Sequence, residues 1–201
     1  MSDAAFRVYM IDDDAQILTA LSRVLSLAGY EARGFADAET FLAQHDAKVP
    51  GCAIVDLSLP GKDGFEIQQA LEDCGRPVVF LTGRGDVSAS VRAMKAGALD
   101  FLQKPVDAEV LLAAVEQARR VDNTRRQSLA ARRDFEERMS RLTLRERQVM
   151  DQVVLGRLNK QIAGDLGIVE KTIKVHRGRM MEKMGVRTVA ELVSTVQRFR
   201  A

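Results

Sequence analysis

Three consecutive carboxylates, Asp12, Asp13 and Asp14, close the apolar run Val8-Tyr9-Met10-Ile11. A fourth, Asp56, closes Cys52-Ala53-Ile54-Val55, the hydroxyl of Thr82 closes Val78-Val79-Phe80-Leu81, and the ammonium of Lys104 follows a fourth run ending at Leu102. Adjacent carboxylates repel one another and are costly to hold beside an apolar core. A hard divalent cation would offset that cost: Mg²⁺ takes one or two carboxylates, keeps several waters and bridges to phosphate oxygens. Mn²⁺ could substitute for it. A carboxylate held beside such an ion can attack a phosphoryl group and form an aspartyl phosphate. A lysine then neutralises phosphoryl charge as a mobile point cation, and a threonine hydroxyl can hydrogen-bond a phosphoryl oxygen. One aspartate has a simpler task, since a helix cap needs a single side chain; Asp14 suits it, leaving Asp12 and Asp13 for the ion.

These groups meet only if the runs lie side by side in one sheet. Strands are expected at 6–11, 31–35, 51–56, 77–81 and 99–102, with helices at 15–28, 38–45, 64–73 and 87–96 and a fifth from about Asp107. Alternating strands and helices with continuously apolar central strands give a parallel sheet covered on both faces. Five such units fit a flavodoxin-like α/β fold with strand order 2-1-3-4-5, whose switch point lies beyond the carboxyl ends of strands 1 and 3. The clustered groups fall at that point. Cys52 belongs to the core, and His45 to the surface.

The net charge of +2 conceals an asymmetry: residues 1–121 carry 12 Lys/Arg against 18 Asp/Glu, residues 122–201 carry 18 against 10. Such a split argues for two functional halves, one facing a polyanion. Three segments are expected: an acidic domain at 1–121, a charged helical linker at 122–141 that continues the fifth helix with a broken apolar stripe (Leu111, Val115, Ala118, Leu129), and an all-α domain at 142–201. No apolar run approaches the roughly 20 residues that span a bilayer, no signal peptide is expected, and two cysteines without a CxxC motif fit a reducing cytoplasm. Two histidines exclude a histidine-rich zinc site.

Four short helices are expected after residue 142. Thr143–Glu146 and Thr188–Glu191 match the T-x-x-E capping box. Gly156, Gly167 and Gly185 sit where helices should stop, Asn159 is expected to cap the second helix, and Val169 is a poor cap for the third. The stretch 159–185 has helix–turn–helix spacing: Ala163 is small where helices approach, and Ile162, Leu166, Ile168 and Ile173 can pack inward. The third helix is amphipathic, with Ile173, Met180 and Met184 inward and Lys171, Lys174 and Arg177 outward, which fits a DNA major groove. His176 is expected at the groove rim or in packing.

Residues 11–14 (IDDD), 55–64 (VDLSLPGKDG), 81–86 (LTGRGD) and 100–105 (DFLQKP) resemble the receiver domain of two-component response regulators. The resemblance implies a phosphoacceptor at Asp56, Mg²⁺ held by Asp12, Asp13, Asp56 and the Ser58 carbonyl, and a switch formed by Thr82 and Phe101 with Lys104 on the phosphoryl group. It also implies a dimer surface that includes Val91, Lys95, Asp100 and Glu109. Val106 stands where an aromatic is common, with a consequence for packing only. Residues 142–193 resemble the DNA-binding domain of LuxR-type regulators. That likeness places Lys174 and Val175 at base edges, and Asn159, Lys160, Lys171, Thr172, Arg177 and Arg179 on phosphates or beside the groove. Gly178 departs from it, standing where a groove-facing side chain is common and costing about 1 kcal/mol in a helix interior relative to Ala. Together the segments resemble the NarL/FixJ class. They imply a regulator that takes a phosphoryl group from a histidine kinase encoded elsewhere, dimerises, binds double-stranded promoter DNA and contacts RNA polymerase. At most slow self-dephosphorylation is expected. One rival is an aspartate-nucleophile phosphatase of the haloacid dehalogenase type, which needs a second aspartate where Ser58 stands. The other is a constitutive DNA-binding protein with an inert receiver.

Overall fold

The computed structural model describes residues 5–61, 63–83, 92 and 95–200. The chain divides into two compact units, Met1–Arg126 and Gln127–Ala201. In the first, strands β1 (Arg7–Ile11), β2 (Glu31–Phe35), β3 (Gly51–Asp56), β4 (Val78–Thr82) and β5 (Asp100–Gln103) form one parallel sheet in the order 2-1-3-4-5. Helices α1 (Ala15–Leu27), α2 (Ala38–Gln44) and α3 (Gly64–Glu72) connect the first four strands. Most of the helix expected at 87–96 lies outside the described residues.

Alternation along the central strands feeds two cores. Tyr9, Ile11, Ala53, Val55 and Phe80 join Phe41, Ile67 and Leu71 on one face, while Val8, Met10, Cys52, Ile54, Val79 and Leu81 join Leu21, Leu25, Leu111 and Val115 on the other. Because both faces are covered, β3 and β4 have no polar side chain until Asp56 and Thr82 at their ends. Val106 packs at the edge of the second core. Burial pushes the Cys52 thiol up to about 12, so it is an inert core group. His45 does not stay free on the surface: it is half-buried, with its ring centroid 5.3 Å from that of Phe41 and Nδ1 3.2 Å from the Leu42 carbonyl.

Helix α4 runs unbroken from Ala108 to Ser140. Leu111, Ala114, Val115 and Ala118 bury its first part against the sheet, while Leu129 is exposed. The charged segment expected to be solvated carries unforeseen anchors. Asp122 is buried, accepts the Gly51 N–H (3.1 Å) and pairs with Arg126 Nε (2.7 Å). Arg126 also donates to the carbonyls of Ala47, Lys48 and Val49. Residues 127–134 contain no buried side chain, and burial resumes at Phe135.

In the second unit, α5 (Leu144–Val154), α6 (Asn159–Leu166), α7 (Glu170–Met184) and α8 (Val189–Arg200) enclose a core of Val149, Met150, Ile162, Ile173, Met180, Met184 and Leu192, joined by Phe135. Leu166 and Ile168 pack at its edge. The Thr143–Glu146 box forms in both directions. Its counterpart is half formed: Thr188 Oγ1 accepts the Glu191 N–H, but the Glu191 carboxylate takes the Arg187 N–H instead. Gly167 and Gly185 close α6 and α7 at φ of 65° and 66°, a left-handed conformation that glycine adopts freely.

Candidate carboxylate site and nucleic-acid interface

Strand register builds the carboxylate site. Ile11 is aligned with Val55, Asp56 with Leu81, and Thr82 with Gln103. Asp12, Asp56, Thr82 and Lys104 therefore leave four neighbouring strands within a residue of one level. Asp12 is fully buried and Asp56 nearly so, whereas Asp13 is exposed. Asp14 is the cap of α1, accepting from the N–H groups of Gln16 (2.8 Å) and Ile17 (3.4 Å).

Lys104 closes the site from the far side. Its Nζ lies 2.6 Å from Asp12 Oδ2 and 2.9 Å from Asp56 Oδ2. Burial works to lower the Lys104 pKa, but its bonds to the two carboxylates outweigh that and hold it above the ordinary range. The other oxygens face backbone donors: Asp12 Oδ1 accepts from Asp14 N–H (3.0 Å) and Asp56 Oδ1 from Ser58 N–H (3.3 Å). Asp12 Oδ2 is buried and, apart from the Lys104 ion pair, receives no well-aligned hydrogen bond. Asp12, Asp13 and Asp56 each offer an oxygen within 4.8 Å of the others. A buried, under-donated oxygen among three converging carboxylates fits a hard divalent cation.

Thr82 is buried and its hydroxyl donates to the Gly83 carbonyl (3.2 Å). The Phe101 ring is 41% exposed. Lys95 and Glu109 are exposed, and the half-buried Asp100 accepts the Phe101 N–H (2.8 Å). Val91 lies outside the described residues.

On the second unit, Lys160, Lys171, Lys174, Val175, Gly178 and Arg179 are exposed, and Thr172 and Arg177 are half-buried. Lys174 Nζ lies 3.5 Å from Glu170 Oε1. Asn159 does not cap α6 as expected. The cap position is Leu158, whose N–H donates to Gln161 Oε1 (2.9 Å). Asn159 begins the helix, and its Oδ1 accepts from Arg177 Nη1 (2.8 Å), joining α6 to α7. Val169 caps α7 without a side-chain bond, as its apolar character implies. His176 Nδ1 is buried without a partner, a packing role. Two ties escaped the sequence reading. Arg138 Nη1 donates to the Met184 carbonyl (2.8 Å) at the end of α7, and Lys183 pairs with the buried Glu146 (2.6 Å). Neither spacing, 46 and 37 residues, leaves a local signal.

Comparison with known proteins covers both halves. Residues 8–116 match the response regulator receiver domain and residues 140–196 the luxR family of bacterial regulatory proteins. The response regulator protein TodT of Pseudomonas putida is 37% identical over 202 residues, covering 100% of this chain and 89% of its own. The transcriptional regulatory protein FixJ of Bradyrhizobium diazoefficiens is 38% identical over 193 residues, covering 95% and 94%. Among solved structures, the response regulator StyR shares 42% identity at a TM-score of 0.90, over 97% of this chain and 100% of that one. Two domain families, matched in the order in which these full-length relatives carry them, establish that the chain belongs to the NarL/FixJ class of response regulators: a receiver domain followed by a LuxR-type DNA-binding domain, in a transcription regulator controlled by phosphorylation.

Proposed function

We propose that Asp56 is the phosphoacceptor. The observation that carries this is the shared contact of Lys104 with two buried carboxylates, Asp12 and Asp56, beside Asp13. An Asp56 oxygen attacks the phosphorus of a phosphohistidine on a partner kinase; the P–N bond breaks, its electrons return to the imidazole, and an acyl phosphate forms. Lys104 turns from Asp56 to the phosphoryl oxygens and keeps its hold on Asp12. Mg²⁺, or Mn²⁺ in its place, would be held by Asp12, Asp13, Asp56 and the Ser58 carbonyl, and supplies neutralisation of phosphoryl charge. The Thr82 hydroxyl leaves the Gly83 carbonyl for a phosphoryl oxygen, and Phe101 turns inward over the space it vacates. That reshapes the surface of Lys95, Asp100 and Glu109, through which two copies pair. A cytoplasmic location, recruitment of RNA polymerase and slow loss of the phosphoryl group belong to the same reading, as does a division of labour among 1–121, 122–141 and 142–201.

Helix α7 enters the major groove, with Lys174 and Val175 at base edges; Asn159, Lys160, Lys171, Thr172, Arg177 and Arg179 lie on phosphates or beside the groove. Arg177 doubles as the tie to Asn159. Intact-protein mass after acetyl phosphate treatment with Mg²⁺ tests the acceptor. One stable phosphoryl adduct is expected on the wild type and none on Asp56→Asn; an undiminished adduct on that variant overturns the assignment. Rapid multiple turnover would favour a phosphatase.

A further inference from the structure

Gly178 stands in the middle of α7, and nothing in the fold requires a glycine there. Its φ is not positive, unlike those of Gly156, Gly167 and Gly185. A Cβ built on it would meet no heavy atom within 4 Å. Glycine weakens a helix interior because the unfolded chain has more freedom to lose. A residue that weakens the fold without serving packing or backbone points to a demand from outside the molecule. Gly164 also has open space around it, but it lies in the last turn of α6 rather than on the face of α7 turned away from the core.

The position on that face supplies the demand. Ile173, Met180 and Met184 are buried. At 3.6 residues per turn, the direction opposite them is lined by Lys171, Val175, Gly178 and Glu182, spaced i, i+4, i+7 and i+11. All four are exposed. The ridge therefore runs from a cation, through an apolar side chain 45% exposed, to a gap and then a carboxylate. Set in a major groove, Val175 needs an apolar partner, and the thymine 5-methyl is the apolar group on the base edges there. The gap at Gly178, one turn further on, gives that methyl room against the bare helix backbone.

We propose that Gly178 is a specificity-determining residue: with Val175 it forms a notch that receives a thymine methyl in each half-site. This rests on the reading that α7 enters the major groove. A preferred site is first selected from random duplexes with the full-length protein treated with beryllofluoride and Mg²⁺. Each thymine of that site is then replaced by deoxyuridine, which removes only the methyl. For the wild type, one replacement per half-site is expected to weaken binding about 3- to 10-fold, on the scale of a single buried methyl against a base edge. Gly178→Ala is expected to bind random DNA with unchanged affinity and salt dependence. It should lose specific binding by a similar factor and no longer distinguish thymine from deoxyuridine at that position. Its melting temperature should rise, which shows that the variant is folded.

Wild-type specific binding with no sensitivity to any deoxyuridine overturns the proposal. So does a Gly178→Ala variant that keeps both the preferred site and the discrimination. If the wild type instead fails to prefer any sequence over random DNA, the major-groove reading itself falls, and the notch falls with it. Val175→Ala is the companion variant: it should lose the same discrimination while Gly178 is intact, and unchanged discrimination there also counts against the notch.

Discussion

Lys104 bridges two carboxylates that would otherwise face each other across the sheet edge, so it stabilises the fold as well as serving the site. Its pKa in the folded chain lies above the ordinary value of 10.5. The stabilisation is therefore complete below about that pH and is lost as pH rises through the higher folded value. Lys104→Met should lower stability by about 3 kcal/mol, since it strands buried charge. It should also flatten the alkaline limb of the melting profile, and added Mg²⁺ should recover part of the loss. Calorimetry in metal-free and Mg²⁺ buffers checks this; an unchanged melting temperature would show that the ion pairs add nothing. Asp12, Asp56, Thr82 and Lys104 were legible as a set because each ends or follows an apolar run, and a parallel sheet must bring such ends together. The bond from Arg177 to Asn159 was not legible. The sequence makes Asn159 look like a cap, and only the packing of α6 against α7 reveals a better partner.

Among the elements, α5 is pinned by a capping box whose acid also reaches across to Lys183. Burial works to raise the Glu146 pKa, but the Lys183 bond and the Thr143 N–H outweigh it and hold it below the usual range. Its contribution is thus present above the ordinary carboxylate pKa of 4.5 and lost as pH falls through the lower folded value. Thr143→Ala should cost about 1 kcal/mol at neutral pH, and Glu146→Gln should remove most of the acid sensitivity of the second unit; melting curves between pH 2 and 7 separate the two. In the first unit, Asp122→Ala would leave the Gly51 N–H and the Arg126 guanidinium without their partner. A loss of about 2 kcal/mol is expected, since the exposed part of Arg126 regains water. Strand and helix positions could be read to within a residue or two because period and caps are local signals. Asp122 could not, because a buried aspartate and a solvated one look alike in a charged run, and its partners lie about 71 residues away.

For the whole molecule, the basic second half predicts salt-dependent DNA binding, with log K falling by about 0.9 per phosphate neutralised for each unit of log salt. Lys160→Ala should lower that slope by about one phosphate equally on specific and random DNA, while Lys174→Ala should hurt the specific site by roughly 1–3 kcal/mol more. One recognition helix covers few base pairs, so pairing of receivers should raise affinity through local concentration alone. Light-scattering mass with beryllofluoride and Mg²⁺ is expected to double at tens of micromolar; a protein that stays monomeric with the ligand bound would rule out pairing as the switch.

The stretch 127–134 has one more consequence. It holds Arg132 and Arg133 on a helix that buries nothing between Arg126 and Phe135. Short unsupported helices open easily, so trypsin should cut there before it enters either folded unit. The cut leaves Phe135 in the core it serves and Arg138 on the end of α7. The released fragment would keep its groove-facing helix and lose its aspartates, so a single nick turns a conditional regulator into one that no kinase can silence or arouse.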